Sequence, residues 1–329
     1  MVSDKVIQAS NSLISDTSVP HVAVFIGGLS GIGKSTVRAL IATGTSMRIY
    51  LVGRNSAAKR VATFIKELNA INRKAEVVWT DSEVALLAET KRICEVIKDK
   101  ESSIGLLFFG TGYDLLSSYP EKSEVSEVTQ SLEYFQRMLF LLHLLPLLRK
   151  AESARVISIL GGRPGASKIG DAPLIMYKGL GNFKAMFRYS AIHMTMLEKM
   201  AVEDPAVTFV HSWPGWVRTE HTRRNMDSEP FVYRILRLIF HFIVGLFSVC
   251  AKTSGQRHLF ISTSAAFGGH GVPWFGKPGV NSLGKQENGL FLVNHQCNCA
   301  LIANALDLLR EKAQNAIWAH TQEVLEPYM

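Results

Sequence analysis

The stretch VFIGGLSGIGKSTV, residues 24–37, carries glycines and a Lys–Ser pair at spacings that suit two different phosphate chemistries. Counted from Gly28 it reads GxxxxGK[ST], through Gly33, Lys34 and Ser35. That loop cradles a nucleoside triphosphate, with the lysine on the β and γ phosphates and the hydroxyl on Mg²⁺. Counted from Gly27 it reads GxxxGxG, through Gly31 and Gly33, a turn that admits the pyrophosphate of a dinucleotide. Hydrolysis also needs an acidic residue at a strand end to hold the metal, which Asp81 in VVWTD could supply. A dinucleotide site needs a ribose-recognising group at the end of the next strand, roughly 20 residues on. There the sequence has LVGRN, with Arg54 and no acid. A carboxylate in that place would bind the 2′-hydroxyl of NAD and repel a 2′-phosphate, whereas a guanidinium offers the phosphate a planar donor fork. The residues favour NADP. In this parse Gly27 permits the tight turn, Gly31 lets the backbone approach the pyrophosphate, and Gly33 allows close packing of helix on strand. Ser30 and Ile32 fall in the same turn, where a helix N-terminus faces the anion.

The elements that would carry this turn are legible as alternation. The apolar runs HVAVFIGG, MRIYLVG, AEVVWT and SIGLLFFG are each followed by a helix-patterned stretch, beginning near Ile32, Ser56 and Ser82 and then running through SLEYFQRMLFLLHLLPLLRK. ARVISIL and AVTFVHS repeat the theme, NGLFLV (288–293) reads as a last strand, and a helical tail follows from about Ala300 to Glu323. Strands apolar on both faces between helices imply a doubly wound parallel sheet, a Rossmann-like α/β fold in a single domain. The expected organisation is an N-terminal extension over 1–20, a dinucleotide-binding domain over 21–299 with an insertion at 220–250, and the tail over 300–329.

Composition narrows the function classes. At 329 residues, 47% hydrophobic and 19% charged, the chain can bury a sizeable core. Its net charge of +8 is spread without a basic cluster or interleaved aromatics, which argues against nucleic acid as a partner. The first twenty residues are polar and have no apolar core of the signal-peptide kind, so a cytoplasmic location is expected. Cys297 and Cys299 form CxC beside His295, not the CxxC of zinc sites, and no second pair exists; no metal is expected.

Four landmarks in this order make the chain resemble the short-chain dehydrogenase/reductase superfamily from about His21 to Val293. They are the Gly27–Gly33 turn, VGR after the second strand, Asp81 after the third, and PGWVRT with Pro214, Gly215, Val217 and Thr219. The resemblance implies an adenine contact for Asp81 and a nicotinamide-amide contact for PGWVRT. The family's NNAG is here FGTG, which places Gly110 and Thr111 beside the cofactor. FQRMLFLLHLLPLL, FVHSWPG and IWAHTQEV are similar to divergent oxidoreductases of fungal secondary metabolism. With these later landmarks the hydrolase parse is set aside.

The resemblance also implies a Tyr–Lys pair four residues apart, a Ser and an Asn, and here the chain departs from the family. No Tyr has a Lys four residues on, and counting back from WPG lands near Asn182 and Met186. The Ser position falls near Gly161, and no Asn lies between 129 and 145. Tyr177 and Lys184, on or entering the expected catalytic helix, are the candidates for acid–base work, an ordinary surface pair being the alternative. Arg163 and Lys168 lie in the loop after the fifth strand, and His193 and His211 read as structural.

Residues 231–250, FVYRILRLIFHFIVGLFSVC, are interrupted by Arg234, Arg237 and His241 and are too short in apolar run to span a bilayer. They suit the wall of a wide apolar substrate pocket, or a helix lying on a membrane surface. The expected activity is NADP(H)-dependent carbonyl reduction of a bulky hydrophobic small molecule. The alternatives are a redox-neutral cyclase or isomerase and a non-catalytic NADP-binding protein, and homo-oligomer formation is left open.

Overall fold

The computed structural model describes residues 2–54, 58–112, 128, 130–161, 182–219, 245, 248–299 and 303–329. In chain order the elements are α1 (Asp4–Asn11), β1 (Val22–Ile26), α2 (Gly31–Ile41), β2 (Met47–Gly53), α3 (Ala58–Ile71), β3 (Ala75–Asp81), α4 (Leu87–Lys100) and β4 (Leu106–Phe109). A π-helical turn, Ser131–Phe135, then runs into α5 (Gln136–Leu148), followed by β5 (Ala154–Ile159), α6 (Asn182–Glu203), β6 (Val207–Ser212) and the two-residue β7 (Val217–Arg218). The chain continues through β8 (Val249–Cys250), α7 (Ala251–Thr263), β9 (Leu290–Val293), α8 (Ala303–Lys312) and α9 (Gln314–Leu325).

Among the described residues seven strands form one parallel sheet in the order β3-β2-β1-β4-β5-β6-β9. Every residue of β4, β5, β6 and β9 is buried, as apolar strands covered on both faces must be. One face meets α4, α5, α6, α8 and α9, whose Ile93, Leu139, Leu197, Leu309 and Ile317 pack with Val24, Leu107, Val156 and Phe209. The other meets α1, α2, α3 and α7 through Ile7, Leu40, Phe64 and Phe260. The strand order reverses between β1 and β4, and the crevice outside the carboxyl ends there is where ligands sit in folds of this kind. The parallel register lines up Val52, Ile26, Phe109, Ser158, His211 and Leu292 in one row near those ends. Two polar residues thus stand in the middle of an apolar row.

The fold is the expected single Rossmann-like α/β domain with a helical C-terminal region. Three local features were not expected. Residues 4–11 fold as α1 because α7 receives them: Asn11 donates to Gln256 O at 2.9 Å and Arg257 donates to Asp4 at 3.0 Å. The tail is two helices, interrupted at Ala313, whose φ of −130° leaves the helical range. The helix opening at SLEYF begins with the π turn, in which Gln136 N donates to Ser131 O.

Candidate functional site

The loop after β1 is shaped by glycines, of which Gly27 and Gly33 have no room for a side chain. A Cβ on Gly27, whose φ is +93°, would lie 2.5 Å from Thr111 N. One on Gly33 would lie 2.3 Å from Gly27 O. A Cβ on Gly31 would lie 3.4 Å from Thr219 Cγ2, so at this position the left-handed φ of +54° is what favours glycine. Gly110 N donates to Ile26 O at 2.7 Å, which holds the end of β4 against the turn. Gly27, Gly31, Gly33, Gly110, Thr111 and Thr219, far apart in sequence, therefore meet around the start of α2. Ser30 caps that helix in extended backbone, Ile32 is half-buried in its first turn, and the first-turn amides have no carbonyls of their own helix to bond. A cradle of bare backbone at a helix N-terminus fits a pyrophosphate.

The remaining cofactor candidates surround this cradle in two groups. Arg54 stands exposed just past β2. Asp81 ends β3, in register with Gly53, so the tips of the two strands adjoin. Its carbonyl accepts from Arg92 at 2.7 Å. In the PGWVRT loop Trp213 N donates to Val293 O at 2.9 Å, and Gly215, at φ +66°, lies against His295. Pro214 is half-buried, and Val217 pairs with Val249 in β7 and β8, which carries the chain on to Thr219 beside Gly31. Lys34 turns toward α3, its Nζ 5.4 Å from the centre of the Phe64 ring.

Of the acid–base candidates, Tyr177, Arg163 and Lys168 lie outside the described residues. Lys184 lies in α6, its side chain outside the described set. Most of 220–250 is likewise outside it. What the described residues do place below the ends of β4, β5 and β6 is a buried polar cluster. Arg137, fully buried on α5, donates to Ser158 Oγ at 2.6 Å, to Thr111 O and to Leu132 O at 3.2 Å, with its guanidinium 5.7 Å from the Phe109 ring centre. Burial draws its pKa down to about 10, partly opposed by Glu133. Glu133, on the π turn, is pushed up to about 7 by burial, with Arg137 pulling the other way. Tyr189 of α6 is raised to about 12 by burial and then by Glu133. His193 is held well below its ordinary value by burial, then by Arg137 and His211. The sequence reading passed over Glu133, Gln136 and Arg137. Their signal was present as polar letters buried in a helix that is mostly apolar.

Burial raises Cys297 to about 12, and among the described residues no group of three His, Cys, Asp or Glu could hold an ion.

A family model described as short chain dehydrogenase matches residues 21–229, which span the glycine turn and the whole run from β1 to β7. The chain belongs to the short-chain dehydrogenase family. It is an enzyme of that family with an atypical set of acid–base residues, and the family's cofactor class is a nicotinamide dinucleotide. Two similar relatives carry the name oxidoreductase. AN1596 of Emericella nidulans is 33% identical, covering 99% of this chain and 98% of its own length. LepF of Aspergillus flavus is 31% identical, covering 80% of each. Among solved structures, the short-chain oxidoreductase of Pseudomonas aeruginosa with bound NADPH and an atypical catalytic center is 19% identical, with a TM-score of 0.56 over 74% of this chain and 90% of that one. The NADPH-bound carbonyl reductase from chicken fatty liver is 18% identical, with a TM-score of 0.56 over 85% and 98%. At such identities these structures speak for the fold. Among the described residues no helix is long and apolar enough to cross a membrane.

Proposed function

We propose that the chain is an NADP(H)-dependent carbonyl reductase for a bulky hydrophobic small molecule, working in fungal secondary metabolism. The observation that carries the reading is the meeting of Gly27, Gly31, Gly33, Gly110, Thr111 and Thr219 around the α2 N-terminus, with Arg54 exposed at the tip of β2. The glycines leave space that suits a pyrophosphate, and the Arg54 guanidinium, just past β2, would meet the ribose and favour a 2′-phosphate there. Asp81 adjoins it for the adenine, and Pro214, Gly215, Val217 and Thr219 would hold the nicotinamide end. Bound NADPH would supply the hydride. Tyr177 and Lys184 are the sequence's nominees for work on the substrate, and residues 231–250 are proposed as the apolar wall of its pocket. Fungal relatives bearing the name oxidoreductase support this class of chemistry.

Cofactor titration tests the reading. Removing the Arg54 guanidinium deletes a charge-assisted contact of ~1.5–3 kcal/mol, so Arg54→Ala should weaken NADPH by roughly 10- to 100-fold and leave NADH almost unchanged. Equal losses for both cofactors would remove the 2′-phosphate assignment. Consumption of NADPH is then followed with a panel of bulky apolar ketones and quinones. The departure from the Tyr–Lys pattern favours one other reading, a redox-neutral cyclase or isomerase. Turnover of substrate with no NADPH consumed, unaffected by Tyr177→Phe, would establish it in place of the reductase.

A further inference from the structure

The helices over β4, β5 and β6 are apolar along most of their length, yet they bury a polar group near the cofactor turn. Glu133 and Gln136 join Arg137 from the π turn and α5, Ser190 and His193 come from α6, and Ser158 and His211 come from the sheet; all are more than nine-tenths buried. Among the described residues, Glu133 Oε2, both amide atoms of Gln136, Ser190 Oγ and both ring nitrogens of His193 have no hydrogen-bond partner. Each such atom costs ~1–3 kcal/mol, so stability does not explain their presence. Polar atoms buried in this way mark space that takes water or a polar ligand atom. The backbone is irregular at the same place, because the π turn of Ser131–Phe135 is what presents Glu133, and single π turns concentrate at functional sites.

Charge around Glu133 is one-sided. Arg137 follows it on the same helix, Tyr189 and His193 face the cluster from α6, and His211 faces it from β6. Tyr134 meets the His193 ring edge-on and hydrogen-bonds Thr321 of α9, whose neighbour His320 packs on Phe135. Arg137 supplies the positive charge on Glu133 and Arg188 acts on Tyr189, while His193 is held neutral and Tyr134 and Tyr189 are kept protonated by burial. The same guanidinium touches Thr111 O and Ser158, which ties the acid to the strand ends beside the cofactor cradle.

We propose that Glu133 is the proton store of this site, a buried carboxylic acid that gives up its proton as a carbonyl is reduced above β4 and β5. The proposal rests on the reductase reading. In the step the carbonyl carbon gains the hydride, the C=O π bond opens, and the oxygen takes the proton. The Glu133 O–H bond breaks, Arg137 steadies the carboxylate, and bulk water restores the acid. A group that titrates near the working pH suits both giving and regaining a proton.

Two measurements test it. Infrared titration of the cofactor-free chain should show a protonated-carboxyl stretch that disappears as the pH rises through about 7 and is missing from Glu133→Gln. Glutamine keeps the shape and neutrality of the protonated acid, so the variant should fold and bind NADPH as the parent does, by fluorescence. With phenanthrenequinone as a bulky apolar carbonyl probe, kcat should fall by roughly 10²-fold in Glu133→Gln, with loss of the alkaline limb near neutrality. Glu133→Asp, which keeps a carboxyl, should restore part of the rate and the limb. A missing infrared band, or one unchanged in Glu133→Gln, overturns the proton store whatever the activity. So does an unchanged pH profile in Glu133→Gln beside a dead Tyr177→Phe. A parent chain with the infrared band that consumes no NADPH overturns the reductase reading and, with it, delivery of the proton to a carbonyl.

Discussion

Lys34 and Gly33 are neighbours with opposite fates under substitution. The lysine makes the turn look like a triphosphate loop in sequence, but its ammonium lies over Phe64. Lys34→Ala should leave NADPH binding within about tenfold, the loss coming from surface packing and one positive charge. Gly33→Ala places a methyl 2.3 Å from Gly27 O, so the turn must open, and dinucleotide binding should vanish in the same fluorescence titration. This part of the site was legible, because glycine spacing and Arg54 act through local backbone and a strand end. Glu133 and Arg137 were not legible as a pair with Ser158. Their meaning depends on which helix face turns to the sheet and on the register that puts Ser158 beside Phe109, neither of which is written in the order of residues.

At the scale of elements, the strands could be read almost to the residue because a parallel sheet covered on both sides demands continuous apolar runs. MRIYLVG was expected as a strand and is one, Met47–Gly53. Helix α1 escaped notice because it is only eight residues long, and α7 because its buried face is largely serine, glycine, histidine and threonine; they pack on each other. The tail was legible as helical but its place was not. α9 packs on α6, and Thr321 bonds Tyr134 beside the π turn. Thr321→Val removes that bond and leaves a buried phenol without its partner, so it should lower stability by ~1–3 kcal/mol in chemical denaturation. Because Tyr134 follows Glu133, the substitution should also shift the alkaline limb of the pH–rate profile. A tail that served only as a cover would lower stability and leave that limb in place.

Among the described residues, a buried acid and buried histidines carry opposed proton linkages. Burial raises Glu133 above its unfolded value, so the folded state holds its proton more tightly, and stability from this group falls as pH rises from the ordinary carboxylate range to about 7. Burial lowers His258 to about 4 and His193 well below its usual value, so stability from these groups rises as pH climbs toward the ordinary histidine range. Between about 4 and the histidine range near ~6.5 these two histidines, joined by His143 and His295, which burial also lowers, should outweigh the acid, giving a net rise in stability with pH. Glu133→Gln removes the opposing contribution, so denaturation midpoints measured across that window should climb more steeply, by up to ~1.4 kcal/mol per pH unit. A slope no steeper than the parent's would show that Glu133 ionises in the fold as it does in water.

The polar pair Ser158 and His211 interrupts an otherwise oily row across the sheet, and Glu133 and Arg137 are buried above it. Selection for robustness alone would fill such a place with leucine and methionine, since apolar replacement of a buried charged group is often neutral or stabilising. Glu133→Leu, which removes an acid whose Oε2 has no partner among the described residues and leaves Arg137 its bonds to Ser158, Thr111 and Leu132, should therefore give a chain at least as resistant to heat as the parent and with little turnover. Directed evolution for thermal tolerance, run without an activity screen, would be expected to erode this spot early, trading catalysis for durability.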